Sequence, residues 1–89
     1  MFSQKAMDRV AVISKKIEFI NAIVSDKGSI LSVLEDEQNS RASVLMHLTS
    51  IAEQFDKLLH NGELEVLAFF DKQDIKGSYE LRNFIAHDY

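Results

Sequence analysis

The residues with the greatest chemical potential lie at the end of the chain, between Arg82 and Tyr89. Arg82 carries a permanent cation, and an arginine can grip a phosphate through its planar fork of N–H donors. His87 could take a proton from a ribose 2′-hydroxyl, because an imidazole is partly neutral near neutral pH. Attack of that oxygen on the neighbouring phosphate requires neither a metal nor another cofactor.

The helical pattern of this stretch sets the directions of its side chains. Arg82 and Tyr89 are seven residues apart and share a face, whereas Asn83 and His87 are four apart and lie one turn above the other. Arg82 and His87 are five apart and point about 140° away from each other on a straight helix. An unwound helix end, or a second copy of the helix across a dimer axis, would be needed to bring them together.

Each of these residues also has a purely structural interpretation. For the arginine and the histidine, this interpretation is the favoured one when only the residue types are considered. The arginine could form a surface ion pair with Glu80, Asp88 or an acidic residue of another helix. A histidine at a helix end is often satisfied by a carbonyl. Asn83 could orient His87, bind substrate or join two helices, and Tyr89 could stack on a base, position the histidine or pack against the core.

The pattern Arg82-Asn83-x3-His87-x-Tyr89 resembles the R-x4-H-x-Y signature of HEPN domains, specifically the HepT-like toxins of prokaryotic toxin–antitoxin pairs. Further matches to the family pattern lie in an upstream amphipathic helix, at Arg41-Ala42 and Ile51-x-Glu53. The similarity covers most of the chain and is strongest from Leu34 onwards.

The resemblance implies a dimeric, metal-independent endoribonuclease, with tRNA and mRNA as candidate substrates. Arg82 and His87 would be its catalytic residues, and Asn83 and Tyr89 would support them. The groove between two protomers would then hold both copies of the catalytic pair, which meets the requirement set by their 140° separation.

The resemblance also implies a partner, a small nucleotidyltransferase of the MNT type that acts as the antitoxin. In the family this enzyme can attach AMP to the tyrosine of the motif, which is Tyr89 here. A bulky anionic group at that point would block a phosphate-binding groove by steric overlap and by repulsion. The alternative function is therefore a non-catalytic helical subunit that binds a nucleotidyltransferase and is AMPylated on Tyr89.

This sequence departs from the family at its end. Relatives continue past the motif into another helical segment, whereas this chain stops at Tyr89. A terminal carboxylate beside Arg82 would compete with phosphate, and it could leave this form inactive even where a longer parent cleaves RNA.

Composition sets limits on these interpretations. The length of 89 residues predicts one domain, residues 1–89. The net charge of −4 argues against a protein that attracts nucleic acid through the electrostatic field of the whole molecule. A local cluster of cations, or a basic surface made by two chains, would have to compensate. The chain has no cysteine, which fits a cytoplasmic location, and it has no apolar run long enough to predict a membrane span.

Apolar residues at steps of three and four predict an all-α, antiparallel bundle of four or five helices. The predicted helices are 4–25, about 29–35, 37–60, 63–70, and a final helix capped by Asp71 or Asp74. Residues predicted to face inward include Met7, Val10, Ile13, Ile17, Ile20, Val24, Ile30, Leu31, Leu34, Leu45, Leu48, Ile51, Phe55, Leu58, Leu59, Leu81, Phe84 and Ile85. Such wide apolar faces on so short a chain predict a homodimer.

Two other features of the sequence are predicted to be structural. His47, among apolar neighbours on the third helix, is expected to be a packed or half-exposed histidine. The acidic run Glu35-Asp36-Glu37 is expected to be a solvated turn that opens the next helix with negative charge, where the helix dipole favours it.

Overall fold

A computed structural model describes residues 3–88, with Asp88 described by its backbone alone. These residues form five helices: α1 (Gln4–Lys27), α2 (Ile30–Glu35), α3 (Ser40–His60), α4 (Leu64–Leu67) and α5 (Lys72–Asp88). Residues 3–88 contain no strand, so the predicted all-α class is confirmed. Within the same range no helix has the length and hydropathy that crossing a bilayer would require.

α3 is the central helix, with α1 on one side and α5 on the other. Ala6 at the start of α1 packs in one apolar cluster with Phe55 and Leu58 from the end of α3. Ile85 near the end of α5 packs in a second cluster with Val44 from the start of α3. Because each end of α3 meets the opposite end of its neighbours, α3 runs antiparallel to both, as the apolar stripes predict.

α1 is held at both ends by local hydrogen bonds. The Ser3 hydroxyl accepts from the amide of Ala6, which satisfies one of the free donors at the helix start. Gly28 ends the helix in the left-handed conformation at φ 90°, and its amide donates to the carbonyl of Val24. The helix therefore runs to Lys27, two residues beyond the predicted end, because Gly28 is the first glycine of the chain and adopts that conformation without steric cost.

The start of α3 differs from the prediction because of Asp36. This carboxylate accepts from the amide and the hydroxyl of Ser40 at 3.2 and 2.9 Å, and it pairs with the Lys27 ammonium at 2.9 Å. The helix consequently begins at Ser40 rather than at residue 37. Asp36 is thus a link between α1 and α3 rather than part of a simple solvated run, and its side chain is only 21% exposed.

These contacts predict a measurable acid sensitivity. The hydrogen bonds from Lys27 and Ser40 lower the pKa of Asp36 from 3.8 to about 2. Because the folded state holds the ionised form more strongly, its stabilisation is complete above about pH 4 and is lost as the pH falls towards 2. We expect Asp36→Asn to have a lower melting temperature than the wild type at pH 7. The difference between the two melting temperatures should disappear near pH 2. Circular dichroism melts across that range provide the measurement.

The neighbouring Glu37 offers a matched control for this prediction. Its carboxylate pairs with Arg41 at 3.4 Å but is 80% exposed, so Glu37→Gln is expected to shift the melting temperature little at any pH. An equal pH-dependent shift in both variants would contradict a specific role for Asp36.

Some residues predicted to face inward are exposed instead. In α2, Val33 and Leu34 are buried, while Leu31 is 64% exposed, because a helix of six residues packs only one narrow face. In α5, Leu81 and Ile85 pack on the core, and Phe84, rotated by 100° from Ile85, is 45% exposed. Exposure of at least 40% is also found for Met7, Ile17, Ile30 and Leu59.

α4 is shorter than the predicted helix 63–70. It ends at Leu67, and the amides of Phe69 and Phe70 donate to carbonyls three residues back, at Val66 and Leu67. This tight turn lets the Phe70 ring meet that of Phe55 edge-on, with ring centres 5.0 Å apart. The turn therefore returns the chain to the core before α5 begins.

Candidate functional site

The candidate site lies on the last turns of α5, which carries Arg82, Asn83 and His87. α5 is continuous through Asp88, so Arg82 and His87 both stand on one helix and keep the expected angle between them. An unwound helix end was one of the two predicted ways to bring Arg82 and His87 together. The described part of the chain has no such unwound end. Tyr89 and the side chain of Asp88, both named in the sequence-based predictions, lie outside the described residues.

The start of α5 and its core contacts set the rotation of the site. The Asp71 carboxylate accepts from the amide of Gln73 at 2.7 Å, which confirms Asp71 as one of the two predicted capping residues. Further along, Leu81 and Ile85 pack on the cluster that α2 and α3 form. With those two residues turned inward, Asn83 and His87 are exposed and Arg82 is half-buried.

The Arg82 guanidinium is held from two sides. Its Nε and Nη2 atoms donate to the side-chain oxygen of Asn83 at 3.3 and 3.1 Å, and its Cζ lies 5.4 Å from the centre of the Tyr79 ring. Glu80, one of the acidic partners considered for Arg82, instead pairs with Lys76 at 3.7 Å. The arginine is therefore oriented by an amide and an aromatic ring.

Asn83 has a contact with Arg82 that the sequence analysis did not predict. The continuous helix keeps Asn83 one turn before His87, and its side-chain oxygen accepts from the adjacent Arg82. Both Asn83 and His87 are exposed to solvent. The structure thus links Asn83 to the arginine, and it leaves the imidazole on an accessible surface.

Tyr79 and Asp56 are the residues near the site that the sequence analysis did not assign to it. The Tyr79 hydroxyl donates to the Asp56 carboxylate at 2.7 Å and lies 3.3 Å from the carbonyl oxygen of Ala52. Asp56 is on α3 and Tyr79 is on α5, 23 residues away along the chain. No local spacing signals this pair, because it arises only when the two helices pack.

Burial, followed by the hydrogen bond to Asp56, raises the pKa of the Tyr79 phenol to about 12 from an ordinary value of 10.0. The neutral phenol therefore stabilises the fold below pH 10, and this contribution is lost as the pH rises through about 12. We expect the alkaline absorbance titration of the wild type, minus that of Tyr79→Phe, to show this late ionisation. Asp56→Asn should bring it to lower pH, whereas an unshifted titration in Asp56→Asn would contradict the contact.

His47 lies away from this site, on the side of α3 that faces α1. Its ring centre is 5.3 Å from that of Phe19, and burial together with the nearby Lys16 ammonium lowers its pKa. This packing is in keeping with the structural role expected for His47.

Comparison of the chain with protein-family models, with curated proteins and with solved structures gave no significant match. The features that point to a function are therefore the motif residues themselves and their arrangement on α5.

Proposed function

We propose that the chain is a HepT-like toxin of the HEPN superfamily that acts in the cytoplasm as a homodimeric, metal-independent endoribonuclease. The observation that supports this most directly is the placing of Arg82 and His87 on successive accessible turns of one helix, with the guanidinium already oriented by Asn83. A cation that binds phosphate and an acid–base group are the two components that cleavage beside a 2′-hydroxyl requires.

In the proposed reaction, His87 accepts the proton of a ribose 2′-hydroxyl, and the resulting oxygen attacks the adjacent phosphorus. The bond from phosphorus to the 5′-oxygen then breaks, and that oxygen takes a proton from water or from a second imidazole. The products are a 2′,3′-cyclic phosphate and a 5′-hydroxyl end. Arg82 binds the non-bridging oxygens and stabilises the charge that develops on them.

The geometry of α5 is compatible with the proposed dimer. Asn83 and Ala86 are exposed and lie between Arg82 and His87 on the helical circumference, so a second helix on this face could reach both. A two-fold axis near residues 84 and 85 would set Arg82 of one copy beside His87 of the other, because the two positions are equally distant from that point. Each dimer would then contain two composite sites.

Cleavage of RNA by the purified protein in EDTA, with analysis of the product ends, tests the proposal. We expect 2′,3′-cyclic phosphate ends from the wild type, and about 10²–10³-fold slower cleavage by Arg82→Ala. Lys76→Ala is the matched control, because it removes an exposed cation from the same helix. Equal rates for the wild type and Arg82→Ala, or wild-type protein that leaves RNA intact, would refute the nuclease.

The net charge of −4 favours a second candidate, a non-catalytic subunit that binds an MNT-type nucleotidyltransferase and is AMPylated on Tyr89. Incubation with such an enzyme and ATP, followed by mass spectrometry, tests it. The addition of one AMP that disappears in Tyr89→Phe would support this candidate, and its absence from the wild type would oppose it.

A further inference from the structure

We propose that Asp56, on α3, and Tyr79, one turn earlier on α5, are positioning residues for Arg82. This inference rests on the proposed function for its catalytic consequence, but the contacts that it describes can be tested without activity. The chain of contacts runs from the Asp56 carboxylate on α3, through the phenol and ring of Tyr79, to the guanidinium of Arg82.

The first contact anchors the tyrosine. Tyr79 lines a cavity of about 560 Å³ between α3, α4 and α5, together with Leu59, Leu67 and Ile75. The side chain packs against the apolar cluster around Phe55 and Leu58 on one side only, because open space borders Tyr79 on the other. The 2.7 Å hydrogen bond from its hydroxyl to Asp56 supplies the missing restraint.

The second contact carries this restraint to the arginine. The guanidinium carbon lies 5.4 Å from the ring centre, which is within the range for attraction between a cation and an aromatic face. Asn83 occupies the Nε and Nη2 donors from the side. Within the described part of the chain, the end of the fork, formed by both Nη1 protons and the second Nη2 proton, is the part left to grip two phosphate oxygens.

This arrangement assigns different tasks to the three neighbours of the guanidinium. Asn83 fixes rotation within the plane of the fork, the Tyr79 ring fixes the tilt of that plane, and Asp56 keeps the ring in place. A flexible arginine on an exposed helix would have to lose its mobility each time it bound phosphate. A prepositioned arginine has already lost much of it.

Nuclear magnetic resonance of the arginine Nε–H groups tests the positioning directly. The signal of Arg41, which contacts Leu34 and Glu37 away from Asp56 and Tyr79, serves as the internal reference, and the loss of one signal in Arg82→Lys assigns Arg82. We expect Tyr79→Leu to increase the exchange of the Arg82 Nε proton with water and to leave the Arg41 signal unchanged. Tyr79→Phe, which keeps the ring, and Asp56→Asn, which keeps an acceptor, should give smaller increases.

Cleavage kinetics test the catalytic consequence. We expect Tyr79→Leu to lower kcat about fivefold with less effect on KM, because the arginine is less well placed in the transition state. In an Arg82→Ala background the same substitution should have no further effect on cleavage. A merely structural role for Tyr79 would lower the melting temperature and reduce cleavage in both backgrounds.

The outcomes separate the two proposals. An Arg82 signal that is unchanged in Tyr79→Leu overturns the positioning role, and so does an equal loss of activity with or without Arg82. If the wild type fails to cleave RNA, the nuclease proposal falls, and the exchange of the Nε proton alone decides the positioning. Should Tyr79→Leu fail to fold, Tyr79→Phe and Asp56→Asn provide the same measurement with smaller changes, and no change in either overturns the role.

Discussion

Replacing His87 with alanine is expected to slow RNA cleavage by about 10²–10⁴-fold, the usual contribution of a positioned acid–base group. The side chain is exposed near the end of α5, so its removal should leave the melting temperature almost unchanged. Initial cleavage rates of a labelled RNA in EDTA, measured beside circular dichroism melts, would separate a catalytic loss from a folding defect.

His60→Ala is the matched control for this substitution. His60 is also an exposed histidine in the last turn of a helix, at the end of α3, but it lies outside the motif. Its removal should leave cleavage at the wild-type rate. Equal losses in the two variants, or full activity in His87→Ala, would contradict the role assigned to His87.

A mixing experiment tests whether two subunits share each site. Arg82→Ala and His87→Ala proteins should each be nearly inactive alone. If each site takes its arginine from one subunit and its histidine from the other, a mixed dimer contains one complete site. After random exchange, half of the dimers are mixed, so activity should return to about a quarter of the wild-type value. A tagged subunit would show that the subunits have exchanged. If they have exchanged and the mixture still lacks activity, sites shared in this way are excluded.

The second large effect concerns stability and two neighbouring leucines. Leu58→Ala is expected to lower the free energy of unfolding by about 2–5 kcal/mol, because it removes a side chain from the fully buried core and leaves a cavity. Leu58 is 0% exposed, whereas Leu59 is 61% exposed. Leu59→Ala should therefore change the free energy of unfolding by only about 0.5 kcal/mol or less. Urea unfolding followed by circular dichroism measures both values.

This pair of variants is informative because residue type, helix and position along α3 are matched. A loss of about 2–5 kcal/mol is large for a small domain whose total stability is about 5–15 kcal/mol, and the upper end of that loss would leave a domain of about 5 kcal/mol half unfolded. Similar losses for both leucines would mean that Leu59 is also buried, for example against a second chain. If both variants lose only a little free energy of unfolding, the burial of Leu58 in the core would be contradicted.

Helical periodicity made the three long helices and the residues of the motif predictable. The stripe in α3 correctly identified Leu48, Ile51, Phe55 and Leu58 as core residues, because side chains three and four apart share one face of a helix. The same rule placed Arg82 and His87 on one terminal helix at a wide angle, and α5 has that form through Asp88. The family, the dimer and the nuclease activity stay predictions.

The sequence by itself determined the all-α class, the order of the helices and the spacing of Arg82, Asn83 and His87, since each depends on residues within a few turns of one another. Only the tertiary structure decided that Leu59 and Phe84 would be exposed, because a wide apolar stripe does not reveal which part of it a neighbouring helix covers. Tertiary structure also brought Asp56 to Tyr79, from a distance of 23 residues along the chain. Contacts of that kind form between helices, and no repeat within either helix encodes them.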